Sequence, residues 1–163
     1  MPIELYRIDD RLIHGQVVVG WGQPLDVGFI VLVDDEVARS EWEQELYRMG
    51  VPPDTEVFFD SVDEAAAAHA AYQARSEPGI LLTGDIDSMV RFVAAAGNVP
   101  AVNLGGVHHR GGRTQRMRYV FLTPEEEQAL RALAARGVTI TAQDVPAARP
   151  VPLDVVLAGQ GDT

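Results

Sequence analysis

Short apolar runs alternate along this chain with longer stretches whose apolar positions recur at helical spacing, the pattern of parallel βαβ units. The runs predict strands over Ile3–Ile8, Val27–Val33, Glu56–Phe59, Ile80–Thr83, Ala101–Leu104, Tyr119–Leu122 and Val138–Thr141. The stretches between them predict helices over His14–Gly22, Glu36–Met49, Val62–Arg75, Ile86–Ala96 and Pro124–Arg136. Local chemistry marks their ends. Ser61 followed by Glu64 reads as a capping box, and Thr123-Pro124-Glu125-Glu126 adds a proline at the first helical position. Gly50, Gly97 and Gly137 stand where helices should stop. The run Ala65–Ala71 is a helix whose small side chains let it lie close to a sheet. Pro146–Pro152 reads as extended, Leu153–Leu157 as a short element packing back, and Gly159–Thr163 as a frayed end. The prediction is a three-layer α/β/α fold with a predominantly parallel central sheet, in one domain over residues 1–163.

In such a sheet the loops leaving the C-terminal ends of strands carry function. Here these are Asp9–His14, Asp34–Glu36, Gly84–Asp85 and Gly105–Arg118. Composition narrows what they do. The net charge of −11 argues against nucleic acid, which is bound by neutralising phosphates. All 13 basic residues are arginine, so neither the lysine of a P-loop nor that of a receiver-type phosphoacceptor is present. Cysteine is absent, which excludes disulfides and thiolate metal sites. No apolar run reaches the ~20 residues of a membrane span. The N-terminus lacks the basic-then-apolar pattern of a signal peptide.

The densest chemistry lies in Arg7-Ile8-Asp9-Asp10-Arg11-Leu12-Ile13-His14-Gly15-Gln16-Val17. A strand ends there in a polar loop that opens a helix, where outward-pointing amides favour anions. His14 offers a nucleophile near neutral pH. Arg11, three residues earlier, can fork onto a phosphoryl group. Gly15 lets the backbone come close to whatever the histidine carries. Of the acidic pair, Asp10 is the candidate to bind Arg11 or the non-reacting ring nitrogen. At least one of Asp9 and Asp10 must point away, because a carboxylate facing the phosphoryl group repels it. Arg7 reads equally as a surface charge or as a partner of these acids.

This segment closely resembles the phosphorylation-site loop of the IIB subunits of the mannose/fructose/sorbose family of the bacterial sugar phosphotransferase system. Val33–Ala38, Val102-Asn103-Leu104-Gly105-Gly106-Val107, Arg113-Thr114-Gln115 and Gln143-Asp144-Val145-Pro146 fall in the family's order, so the resemblance covers nearly the whole chain. It implies that His14, through Nδ1, accepts a phosphoryl group from the phosphohistidine of a IIA protein. The group then passes to a sugar held by membrane IIC and IID subunits. It implies a cytoplasmic protein at a permease, with no cofactor, and a homodimer as one assembly. It also implies a first strand placed centrally beside the fifth, which puts Asn103, Gly105 and Gly106 next to His14 as the rim of the site. In the loop after the fourth strand, Gly84-Asp85 departs from the basic or amide residue of many members.

Other readings stay open. The same histidine chemistry serves a regulatory phosphoprotein that reports phosphorelay status without sugar transport. A phosphate site that merely holds a phosphorylated metabolite is a third reading. Gly105–Arg118 concentrates His108, His109, Arg110, Arg113, Arg116 and Arg118. It reads either as a solvated loop or as a docking surface for a phosphorylated or acidic partner, with Arg110, Arg113 and Arg116 as the steering residues. Adjacent histidines point in different directions and no HxxxH or HExxH spacing supports a metal, so none is expected. His69, within the alanine-rich helix, reads as structural or exposed.

Overall fold

Strand β1 (Ile3–Ile8) runs through the centre of a sheet, between β4 (Gly79–Thr83) and β5 (Ala101–Leu104), in the computed structural model, which describes residues 2–159. Outside β4 lie β2 (Phe29–Val33) and, at the edge, β3 (Glu56–Asp60). Outside β5 lie β8 (Thr139–Ala142) and the two-residue β9 (Val151–Pro152), giving seven strands in the order β3-β2-β4-β1-β5-β8-β9. All neighbours pair in parallel except β8 and β9. Every residue of β2 and β4 is buried, as a parallel sheet covered on both faces requires.

The period-two alternation of the strands sorts their side chains into two cores. On one face Phe29, Val31, Val33, Tyr6 and Leu81 meet α3 (Val62–Gln73), α4 (Ile86–Ala96), α5 (Pro124–Ala135) and α6 (Leu153–Ala158). On the other, Ile30, Leu32 and Leu82 meet Ile13, Val18 and Val37. That second layer holds a π-helical segment, Gln16–Gly22, running into the short α1 (Gln23–Leu25), and α2 (Glu41–Arg48).

Both capping boxes form, at Ser61 with Glu64 and at Thr123 with Glu126, and each such cap is worth about 1 kcal/mol. Three expectations are corrected. The helix expected over Glu36–Met49 is divided, because the Ser40 side chain accepts a hydrogen bond from the Glu43 amide and starts α2 there, after a 3-10 turn. The strand expected over Tyr119–Leu122 is not in the sheet, since β8 occupies the place beside β5. Its residues form β7 (Val120–Leu122), paired antiparallel with β6 (Thr114–Met117) in a separate hairpin. Of the frayed end expected over Gly159–Thr163, Gly159 is instead held, its carbonyl accepting a hydrogen bond from Arg116; residues 160–163 lie outside the described residues.

Parallel strands deliver their following loops to one edge. The segments after β1, β2, β4 and β5 gather there.

Candidate functional site

Arg7 anchors the site and was not singled out for it by sequence. It is fully buried, because β1 is a central strand, and a buried guanidinium must be paired. Register places Arg7 opposite Asn103 on β5, whose Oδ1 accepts from Nη1. Nη1 also donates to the Gln143 carbonyl at 2.9 Å, and Nη2 to the Asp144 carbonyl at 3.0 Å and to Asp9 Oδ2 at 3.2 Å. The Trp21 ring lies 4.8 Å from the guanidinium carbon. The signal was available: a charge inside an apolar central strand, two residues before an aspartate.

Asp9, also fully buried, receives a second arginine. Arg11 donates to it through Nε at 3.1 Å, Nη2 at 3.2 Å and the backbone amide at 3.2 Å. Burial pushes the Asp9 carboxyl upward, but the bonds from Arg11 and the charge of Arg7 outweigh it and hold the group below the usual carboxylate range. The Arg11 guanidinium, bonded to Asp9, is raised. Arg7 is lowered by its burial, with Asp9 opposing.

This clamped carboxylate faces the histidine. His14 Nε2 lies 3.6 Å from Asp9 Oδ2, and 19% of the His14 side chain is exposed. Burial lowers the His14 pKa, against the opposing charge of Asp9, so the imidazole is neutral and nucleophilic at neutral pH. The His14 carbonyl accepts from the Val18 amide at 3.0 Å, which ties the residue into the start of the π-helical segment. Leu12, two residues before, takes a left-handed backbone with φ of 59°. Such a conformation is strained for leucine and turns the chain sharply between the arginine and the histidine.

The orienting contact expected of Asp10 is made by Asp9. Asp10 points the other way, accepting from the His108 amide and meeting His108 Nδ1, both at 2.7 Å. The two carboxylates diverge because Asp9 continues the strand toward Arg7, while the Asp10 amide is drawn to the Gly106 carbonyl at 2.8 Å. The Asn103–Gly106 turn does lie beside the loop: the Gly105 amide donates to the Ile8 carbonyl at 2.7 Å. A Cβ at Gly105 would overlap the Arg7 guanidinium and sit 2.7 Å from Asp9 Oδ2, so only glycine allows this approach. Nothing lies within 4 Å of a Cβ at Gly15, whose surroundings are open.

Two of the three arginines expected to steer a partner are engaged by glutamates of α5. Arg113 grips Glu126 through Nε at 3.0 Å and Nη2 at 2.8 Å, and only 6% of its side chain is exposed. Arg116 grips Glu127 at 2.6 and 3.2 Å. Both tie the β6–β7 hairpin to the first turn of α5, whose glutamates also serve its cap. Arg110 is exposed and lines, with Asp10, Leu12, Asp34, Asp85 and Arg91, a cleft of about 760 Å³ beside the His14 loop. Asp85, the departure in the loop after β4, caps α4 by accepting from the Ser88 amide at 2.6 Å. His69 is buried, its Nε2 2.7 Å from the Tyr6 hydroxyl, and far along the chain from this edge. No group of three or more His, Cys, Asp or Glu among the described residues is arranged to hold a metal.

Fold and site together define a parallel α/β protein with a histidine, backed by a clamped aspartate, at the C-terminal edge of its sheet. Residues 3–162 match the family model described as PTS system sorbose subfamily IIB component, and the chain belongs to that family. The sorbose-specific EIIB component of Klebsiella pneumoniae is 33% identical over 140 residues, covering 86% of this chain and 85% of that one. The mannose-specific EIIAB component of Escherichia coli K12 is 32% identical over 145 residues, 89% of this chain but 45% of the longer relative. The crystal structure of the IIBSor domain of the Klebsiella pneumoniae sorbose permease superposes with a TM-score of 0.87 at 31% identity, covering 97% of this chain and 98% of that one. The manxB structure from Thermoanaerobacter tengcongensis gives 0.86 at 31% identity, with coverage of 96% and 95%. Membership makes this a phosphotransferase component of the sugar phosphotransferase system.

Proposed function

We propose that His14 is a phosphoryl carrier, loaded by the phosphohistidine of a IIA protein and discharged onto a sugar hydroxyl presented by membrane IIC and IID subunits. The observation that carries this reading is the contact between His14 Nε2 and the buried, arginine-clamped Asp9. A carboxylate behind one ring nitrogen fixes tautomer and ring plane and directs the other nitrogen, Nδ1, to the reaction. The lone pair of Nδ1 attacks phosphorus as the bond to the donor imidazole breaks, in line. The positive charge that develops on the His14 ring is stabilised by Asp9. Phosphoimidazole is in turn a good leaving group when a sugar hydroxyl attacks, the hydroxyl proton passing to solvent or to a base of the permease.

Arg11 supplies positive charge within the loop, so transfer needs no metal ion. Asp9 absorbs part of that charge, which keeps the site from holding phosphate too tightly to hand it on. Arg110 is the docking arginine of this reading, at the mouth of the cleft. No helix among the described residues is long and apolar enough to cross a membrane, and the carrier works at the cytoplasmic face by docking to the permease.

The test is incubation with a phosphorylated IIA partner, then mapping of the acid-labile phosphohistidine. Label on His14 is expected. Label on His69, His108 or His109 in its place would defeat the reading.

A further inference from the structure

Two carboxylates stand side by side in the His14 loop, where a phosphoryl group brings further negative charge. Asp9 is neutralised by Arg7 and Arg11. Asp10 has a different partner: among the described residues its one ion-pairing contact is with His108. His108 meets both oxygens, its backbone amide donating to Oδ2 and its ring Nδ1 to Oδ1, each at 2.7 Å. A carboxylate only accepts, so Nδ1 carries the proton whether the ring is neutral or charged.

Three neighbours hold this contact in place. The Asp10 amide donates to the Gly106 carbonyl at 2.8 Å. The His108 ring lies against Gly106, where a Cβ would come within 2.7 Å of its Cε1 and 3.3 Å of Asp9 Oδ1. The ring and the clamped Asp9 are therefore neighbours across one glycine. The His108 carbonyl accepts from Arg113 at 2.8 Å, and Arg113 is itself gripped by Glu126.

Without His108, the cation nearest Asp10 in the chain is Arg11. The Arg11 guanidinium is raised first by its hydrogen bond to Asp9, and the charge of Asp10 adds to that. Asp9 takes Nε and Nη2, and among the described residues no hydrogen bond holds Nη1. That nitrogen is the prong left for a phosphoryl oxygen. We propose that His108 is a positioning residue of the phosphoryl site: by holding the Asp10 carboxylate against the loop after β5, it keeps Asp10 off Arg11 and leaves Nη1 for the phosphoryl group. The inference rests on the reading of His14 as the carrier. His108 touches no reacting atom and acts through Asp10. With the ring removed, the amide at 108 still holds one Asp10 oxygen, and the other is free to turn to Arg11.

The rate at which phosphoramidate labels His14 in the full chain tests it, since a small donor needs no docking surface. His108→Ala should slow labelling by about tenfold or more, the worth of one charge-assisted hydrogen bond to the phosphoryl group. The defect should shrink as salt rises and screens the freed carboxylate. His108→Asn, whose side-chain amide offers an N–H near the place of Nδ1, should keep most of the rate. Adding Asp10→Asn to His108→Ala should restore most of it, because no charge is left to hold back; a merely structural anchor would not be replaced by that second change. The His108 side chain is 52% exposed, so urea unfolding of His108→Ala should stay near that of the parent. Labelling of His108→Ala at the parent rate, or a slow variant that Asp10→Asn does not rescue, overturns the inference while label on His14 in the parent upholds the carrier reading. A defect confined to a phosphorylated IIA donor also overturns it, because Asp10 would then be turning to Arg110, which lines the same cleft. A parent without label on His14 defeats the carrier reading and this inference with it.

Discussion

Arg7 and Arg113 are both nearly inaccessible arginines that grip a carboxylate at the same edge of the sheet, yet they do different work. Arg7 holds Asp9, and Asp9 faces His14 at 3.6 Å, so the pair sets the electrostatics around the His14 ring. Arg113 holds Glu126 on α5 and donates to the His108 carbonyl at 2.8 Å, so it fastens the hairpin and the loop before it to a helix and touches neither Asp9 nor His14. A run of arginines therefore does not reveal which cations are available to a partner. The position of each matching carboxylate does, and that position is a property of the packed chain. Arg110, a few residues from Arg113, is exposed at the mouth of the cleft.

The sharpest test of this contrast is His14→Ala. Phosphoryl acceptance should fall to background while thermal unfolding stays near that of the parent, because the side chain lies at a partly open edge and its removal leaves no core cavity. A fully active variant would detach the Arg7–Asp9 pair from any reaction.

Arg7→Met comes next. It leaves Asp9 as a buried charge with one partner lost, and breaking such pairs costs about 3–5 kcal/mol, measurable by urea unfolding. Destabilisation of less than about 1 kcal/mol, the surface-pair range, would show that the pair is not buried in solution.

Protonation probes the same pair. The folded-state pKa of Asp9 is lowered, so its contribution to stability is present above the ordinary carboxylate value of ~4 and is lost as pH falls through the lower folded value. Asp9→Asn should flatten that acid-side fall, and acid unfolding curves of the two proteins read it directly. Equal slopes would mean Asp9 does not carry the shift. His14 moves the same way for a different reason. Its burial keeps it neutral, so its NMR titration midpoint should lie below ~6.5.

Arg113→Gln should cost about 1–3 kcal/mol, as a largely buried charged hydrogen bond is lost, and it should slow transfer from a protein donor and from phosphoramidate by the same factor or neither. Arg110→Gln should leave stability within ~0.5 kcal/mol and phosphoramidate labelling unchanged. It should slow only transfer from IIA, mostly in the association rate, with the difference shrinking as salt rises. If Arg113→Gln alone impairs the protein donor, the contrast between the two arginines is wrong.

The parallel α/β order, the helix caps at Ser61 and Thr123, and the His14 loop were legible in the chain because each rests on contacts within a few residues: period-two and helical spacing, a capping box, a strand meeting a helix start. Ser40-Glu41-Trp42-Glu43 was equally local and was passed over, since the helical pattern ran through it. The hairpin was not legible, because whether Tyr119–Leu122 joins the sheet depends on which strand wins the place beside β5, and β8 wins it.

By itself the sequence determined the chemistry present, a nucleophilic imidazole and an arginine in a loop that opens a helix. Tertiary structure decided which neighbours act on it. Asp9 and Asp10 are indistinguishable as letters, and only the register of β1 against β5 turns one toward Arg7 and His14 and the other toward His108. Burial then sets the charge of each group, and burial is fixed by atoms contributed from some hundred residues away along the chain, at Asn103 and Gln143.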